Sequence, residues 1–350
     1  MEFFDVIIVG GGPAGLQCAR ELSGSSLRVL LLEKRNGFGH KLCAGGLTSK
    51  DMEVLDLPDK LMERQILKTI IHSRRRHSIS ITKEPVVFTV NRKVLGNYQR
   101  SLLEGAAVEV RTDSQVTRIG DGHVELKDGT SFGFRYLVGA DGYGSLVRRH
   151  LGLKVNKLLM GFQYTIPVNH EVSDLELFMD ARRFSLWYAW IFPHKESIAV
   201  GFCCDPRRAD IERTKASFQH WLVEKGIDPG DARLESCPIA YDYRGVEFGN
   251  IFLVGEAAGL ASGFTGEGIY QALVSGQEIA RMIRNPGYKA VQLDRVLKYN
   301  LILNRVMALF RWAGPFRGAL QELLLILMNS EWLRQKIRNQ FISDSSGTLV

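Results

Sequence analysis

Residues 4–15 read FDVIIVGGGPAG. The first seven, FDVIIVG, are mostly apolar and β-branched and alternate little, the pattern of a parallel strand buried on both faces. GGGPAG (10–15) follows, then LQCARELSG, which reads as a helix with Gly24 near its end. LRVLLLE (27–33) is a second buried strand closing on an acid. Strand, G-x-G-x-x-G, helix, strand and Glu in this order predict a Rossmann-type dinucleotide-binding unit. Gly10 allows the tight turn, Gly12 lets the backbone approach a pyrophosphate, and Gly15 lets the helix pack on the strand. Pro13 and Ala14 open that helix, whose first N–H groups face the phosphates. Glu33 is placed to accept ribose hydroxyls, with Lys34 beside it in the candidate set.

The first unit leaves NAD and FAD open. Two later segments narrow the choice. FRYLVGADGYGSLVRRHLG (134–152) is strand, GADG, helix; NIFLVGEAAGLASGFTGEGIYQALVSGQEIAR (250–281) is strand, GEAAG, glycine-rich loop, long helix. With these three glycine-centred motifs in order, residues 1–285 resemble the FAD-dependent geranylgeranyl reductases, within the class of flavoproteins typified by aromatic hydroxylases. The resemblance implies an FAD site. Asp141 and Gly142 would lie on the pyrophosphate side. Gly255 and Glu256 would meet the ribityl chain, with Glu where the family usually has Asp. Gly266, Gly268 and Ile269 would present a helix N-terminus to the flavin N1/C2 carbonyl. Arg92, in VNRKVLGNYQ (90–99), and the backbone of Val116 would complete the set. Two further departures stand out: Gly96 replaces an acid, and Gly263 replaces a proline.

KLCAGGLTSK (41–50) follows the second strand at the distance that returns a loop across a bound flavin. Geranylgeranyl reductases carry a cysteine followed by small residues here, whereas aromatic hydroxylases generally do not. The resemblance therefore gives cofactor contacts to Cys43, Ala44, Gly45 and Gly46, where bare backbone N–H groups can come close. Saturating an isolated alkene needs a hydride, implied to come from flavin N5, and a proton. A free thiol is mostly protonated at neutral pH, so Cys43 is a candidate proton donor or a gate on flavin position. The competing reading is a small residue packed beside the cofactor.

Between these motifs, residues 62–90 and 153–245 break into short strands, with FQHWLVEKG as a helix. YAWIFP (188–193) matches the YxWxFP element of the same family; the GxG that follows it there is Gly201-Phe202-Cys203 here. On a strand, Tyr188, Trp190 and Phe192 share a face. Periodicity alone gives that face to a core, and the resemblance gives it to an apolar substrate tunnel. The expected fold is α/β: an FAD-binding domain (1–61, 91–152, 246–287) with an inserted antiparallel-sheet substrate domain (62–90, 153–245). A C-terminal helical region (288–343), broken at Gly314-Pro315, and a tail (344–350) complete it. That region reads either as a helical cap or as a basic membrane-surface pair.

The chain has 350 residues, 45% hydrophobic and 24% charged, with a net charge of +7. Five cysteines without a CxxC pair predict a reduced, cytoplasmic protein, and the adjacent Cys203 and Cys204 read as small apolar residues at a strand end. No signal peptide or transmembrane stretch is expected. The basic clusters at 74–76, 148–149, 182–183 and 207–208 have no nucleic-acid motif beside them, so anionic lipid or a phosphorylated substrate suits them better.

The reading that emerges is an FAD-dependent reductase. It would saturate double bonds of a long isoprenoid, geranylgeranyl-type chain on a lipid or diphosphate, with peripheral membrane contact. A flavin monooxygenase of a hydrophobic substrate is disfavoured by Cys43 and YAWIFP. An electron-transfer flavoprotein serving quinone is disfavoured by the lack of a cysteine cluster for iron–sulfur. The donor is NAD(P)H or a ferredoxin; no metal and no nucleic acid are expected.

Overall fold

The computed structural model describes residues 1–330. The described chain divides into two compact units: 1–40, 92–158 and 239–303 in one, and 41–91, 159–238 and 304–330 in the other. Residues 41–61, grouped with the dinucleotide-binding segments by sequence, fall in the second unit.

The first unit is built on a parallel sheet. Ser131–Gly139 pairs in parallel with Glu2–Val9, which pairs in parallel with Val29–Leu32, which pairs in parallel with Val108–Arg111. Ile251–Leu253 joins Ser131–Gly139 on its other side, also in parallel. The long apolar runs have a direct cause. Ile7, Val9, Leu30 and Leu32 fill one core, and Val6, Ile8, Val29 and Leu31 fill another on the opposite face. From Val6 to Val9 and from Val29 to Leu32 every position is therefore buried, and alternation disappears from the sequence there. Helices Pro13–Leu22 and Ile269–Arg284 cover the second face. They approach closely because a Cβ at Gly276 would collide with the carbonyl of Ala14.

The second unit carries a seven-stranded sheet in the order Glu235–Ala240, Leu158–Pro167, Ser197–Cys204, Ala189–Pro193, Leu175–Phe178, Lys68–His72, His77–Ile81. The expected all-antiparallel pairing is corrected at one place: Leu175–Phe178 runs parallel to Lys68–His72. Those two strands come from segments about a hundred residues apart, so no hairpin fixes their direction. Helix Ile211–Glu224 lays Phe218, Trp221 and Leu222 on this sheet against Phe162, Phe178, Ala189, Ile191 and Phe202. A separate three-stranded sheet pairs Val87–Thr89 with Gly46–Thr48 and with Arg64–Ile66. Helices Val291–Trp312 and Arg317–Met328 flank a short turn at Gly314–Phe316, where the sequence places the break. The remainder of the expected helical region and the tail lie outside the described residues.

Candidate functional site

In the first unit the glycine turn has the geometry its sequence predicts. Gly10 sits at φ +109°, and a Cβ there would press on Ala140 and Asp141. Gly12 caps helix Pro13–Leu22 with no side-chain hydrogen bond, and a Cβ on it would have no protein atom within 4 Å. Gly15 is closed in by the Gly10 carbonyl, and Ala14 is buried. Glu33 is fixed by two backbone donors: Gly11 N–H to Oε2 at 2.7 Å and Arg35 N–H to Oε1 at 3.0 Å. Lys34 beside it is exposed.

Arg92 opens helix Arg92–Ser101, which lies against the glycine turn: Gln99 Nε2 donates to the Pro13 carbonyl at 3.3 Å. Arg92 Nε and Nη1 are buried with no acceptor. Gly96 replaces the expected acid for a steric reason, since a Cβ there would stand 2.7 Å from Gly39 N and 2.9 Å from Phe38. Asp141 Oδ2 accepts from Leu146 N–H at 2.6 Å, beside the Ser145 cap of helix Leu146–His150, while Oδ1 is buried and unpartnered. Burial pushes this carboxyl up, against donation from Ser145, Leu146 and Val147. Glu256 Oε1 accepts from Ala240 N–H at 3.1 Å, and its Oε2 would stand 3.8 Å from a Cβ on Gly142. Asp141–Gly142 and Gly255–Glu256 are thus brought together, as the parallel register Gly139↔Leu253 requires.

Gly266 and Gly268 lead into helix Ile269–Arg284, whose N-terminus has no side-chain cap. Gly263 replaces the family's proline where the Tyr241 ring takes the space, 2.6 Å from a would-be Cβ. Val116 has its side chain in the core, which leaves the expected adenine contact to its backbone.

Buried polar groups in folded proteins nearly always have partners. An unpartnered guanidinium, an unpartnered carboxylate oxygen and two uncapped helix N-termini in one unit are what a diphosphate-bearing, hydroxyl-rich cofactor would complete. The residues present fit FAD.

In the second unit the Cys43 loop is held from several sides. Gly45 N–H points at Cys43 Sγ at 3.4 Å, and Gln163 Nε2 donates to the Cys43 carbonyl at 3.4 Å. Gly45 has φ +75°, and a Cβ there would stand 2.9 Å from the His194 ring. A Cβ on Gly46 would meet the Phe192 ring at 2.5 Å. Both glycines thus have a local packing cause besides any approach to a cofactor. His194 Nε2 bonds the Ala44 carbonyl at 2.9 Å, and its Nδ1 bonds Glu63 Oε2. The sequence reading missed His194, Glu63 and Gln163. The signal for His194 was its place directly after YAWIFP.

Strand Ala189–Pro193 alternates. Ala189 and Ile191 face the core, whereas Trp190 and Phe192 are half-buried on the other face. The Trp190 indole N–H is buried without an acceptor. Tyr188 precedes the strand and meets Trp190 edge-on, centroids 6.2 Å apart. Cys203 and Cys204 are buried at the end of Ser197–Cys204; burial raises both thiols, Cys204 to about 11. Among the described residues no cluster of His, Cys, Asp or Glu could hold a metal, and no helix is long and apolar enough to cross a membrane.

A family model described as an FAD binding domain matches residues 4–229. A digeranylgeranylglycerophospholipid reductase of Methanosphaera stadtmanae is 29% identical over 328 residues, covering 84% of this chain and 82% of that one. A geranylgeranyl bacteriochlorophyll reductase-like protein of Thermoplasma acidophilum superposes with a TM-score of 0.73 at 22% identity, covering 91% of this chain and 88% of that one. The p-nitrophenol 4-monooxygenase of Pseudomonas putida gives the same TM-score, 0.73, at 17% identity, covering 97% and 98%. The fold is therefore common to reductases and monooxygenases.

Proposed function

The chain belongs to the FAD binding domain family and is an FAD-dependent oxidoreductase, and we propose that it saturates double bonds of a long isoprenoid chain carried on a lipid. The fold does not separate this reading from a monooxygenase. One observation carries it: the two segments that resemble the reductases, far apart in sequence, are joined within the second unit. The Ala44 carbonyl is bonded to His194, directly after YAWIFP, and Gly46 packs on the Phe192 ring.

Gly10, Gly12, Pro13, Ala14 and Gly15 would receive the pyrophosphate, helped by Arg92. Glu33 would take the ribose, with Lys34 at its edge. Asp141, Gly142, Gly255 and Glu256 would hold the ribityl side, and Gly266, Gly268 and Ile269 the ring carbonyl. FAD held by these residues would supply a hydride from N5, with NAD(P)H or a ferredoxin as its electron source. Cys43 Sγ would give the proton to the alkene and would be reprotonated from water. Trp190 and Phe192, on the strand face turned from the core, line the path of the chain together with Tyr188.

An isoprenoid chain loses about 0.8 kcal/mol per CH₂ on entering water, so the enzyme takes its substrate at a membrane surface. Trp312 and Phe316, 86% and 74% exposed, bracket the turn between the last two described helices. Exposed Leu323, Ile326 and Leu327 follow on Arg317–Met328. The exposed Arg74–Arg76 turn adjoins that helix, Arg75 N–H donating to Glu322 Oε1 at 3.0 Å. An apolar flank beside a cationic turn suits anionic headgroups.

The test is to reduce the purified flavoprotein without oxygen and add lipid extract. Mass gain by pairs of hydrogens is expected. No change without oxygen, with gain of oxygen in air, would assign the chain to the monooxygenases.

A further inference from the structure

His194 is 9% exposed and lies where three segments converge. Its Nδ1 faces Glu63 Oε2 and its Nε2 faces the Ala44 carbonyl oxygen. Both partners are acceptors. A neutral imidazole has only one N–H, so meeting both oxygens takes an imidazolium or a proton held in common with Glu63. The ring is further fixed through its own backbone. The His194 carbonyl accepts from Arg64 Nε at 3.1 Å, and the preceding Pro193 carbonyl accepts from Thr89 Oγ1 at 2.7 Å. Glu63 in turn is anchored by its N–H to the Thr89 carbonyl at 2.8 Å. Glu63, His194 and Ala44 therefore form a chain from a sheet edge to the residue beside Cys43.

We infer that His194, oriented by Glu63, is a positioning residue that sets the Cys43 thiol through the Ala44 carbonyl. Its catalytic consequence rests on the reading of Cys43 as proton donor; the clamp itself does not. Glycine at 45 meets the φ of +75° and the close Val90 carbonyl, and a Cβ there would also stand 2.9 Å from the imidazole. The imidazole thus ties the Ala44 carbonyl to a ring held on its other side by Glu63. That tie is useful where a loop rich in small residues has few side-chain contacts to fix it.

Two replacements separate positioning from packing. His194→Gln places an amide N–H where Nε2 stood and can still reach the Ala44 carbonyl. His194→Asn keeps a polar atom near the Nδ1 position, facing Glu63, and loses the carbonyl. Amide hydrogen exchange is measured by mass spectrometry on the FAD-loaded protein without substrate. His194→Asn should speed exchange over residues 43–46 several-fold, up to about tenfold, the factor that one lost hydrogen bond commands. His194→Gln should restore most of the protection, and Val87–Thr89 should stay unchanged in both. Equal exchange in wild type and Asn, or equal acceleration in Asn and Gln, overturns the clamp. If His194→Asn does not fold, Glu63→Ala frees the ring while keeping the loop's backbone hydrogen bonds. It should raise exchange over 43–46 several-fold, and no change there is equally fatal. The lipid assay is separate: protected exchange with no hydrogenated product sinks the reductase reading and leaves the clamp standing.

Discussion

Gly12 and Gly15 are three residues apart in one motif, and the structure gives them opposite reasons to be bare. A side chain on Gly15 would collide with the Gly10 carbonyl, whereas one on Gly12 would meet no protein atom. Gly12→Val should therefore fold normally and purify colourless, because only the cofactor competes for that space. Gly15→Val should destabilise the fold itself, by ~3 kcal/mol or more of overpacking against the Gly10 carbonyl. Circular dichroism melts and flavin absorbance separate the two; a yellow Gly12→Val protein with full occupancy would remove the assignment of the pyrophosphate. Cys43 is tested in the same way. Cys43→Ala and Cys43→Ser should bind FAD and accept electrons normally, yet reoxidise with alkene substrate ~10²–10⁴ more slowly, the usual worth of a positioned acid. Wild-type reoxidation in Cys43→Ala, followed by stopped flow without oxygen, would reduce the thiol to a packing role. At this scale the local part of the site was legible: Gly10, Gly12, Gly15 and Glu33 announce themselves by spacing. Asp141 reaching the Leu146 N–H and His194 reaching Ala44 were not, because neither partner choice leaves a periodic trace.

The strand Ala189–Pro193 shows how far an element can be read. Its alternation was visible, and so was the shared face of Trp190 and Phe192. Which face meets the core was not, because both are apolar. The structure answers it through the neighbours: Ala189 and Ile191 join Phe202 under Phe218 of helix Ile211–Glu224. A Cβ on Gly201 would reach the Trp190 ring at 2.5 Å, so the indole lies flat over the next strand. Trp190→Ala should then cost less in stability than the ~3–5 kcal/mol of a fully buried aromatic and should weaken long isoprenoid chains more than short ones. Flavin content checks folding, and KM for substrates of graded length checks the claim. Equal losses at every length would return Trp190 to a structural role. The parallel pairing of Leu175–Phe178 with Lys68–His72 was beyond sequence reading for a related reason: pairing across a hundred residues is decided by the sheet, not by either strand.

At the scale of the whole chain, the +7 charge is shared between the two units, and within the second unit one basic cluster gains an apolar neighbour. The Arg74–Arg76 turn and helix Arg317–Met328 are far apart in sequence, and only the fold makes them neighbours. Not every basic residue there is available to lipid. Arg317 donates to the Phe310 carbonyl at 3.0 Å and to Ser185 Oγ at 3.0 Å, so it braces the turn that exposes Trp312 and Phe316. Arg74–Arg76 and Arg305 are exposed and carry the long-range attraction. Burying each large apolar side chain in a bilayer is worth roughly 2 kcal/mol. Trp312→Ser with Phe316→Ser should therefore weaken binding to anionic vesicles roughly a thousandfold. Replacing Arg74–Arg76 by Gln should remove about 1 kcal/mol per charge, and that loss should shrink as salt screens the surface. Sedimentation with phosphatidylserine-containing and neutral vesicles reads both. Binding to anionic vesicles that is unchanged by the Trp312/Phe316 replacement would show that the exposed turn is not the membrane contact. If the same doubly substituted protein still reduced lipid presented in detergent, loading and chemistry would be separable steps, because the residues altered lie outside both the FAD motifs and the Cys43 loop.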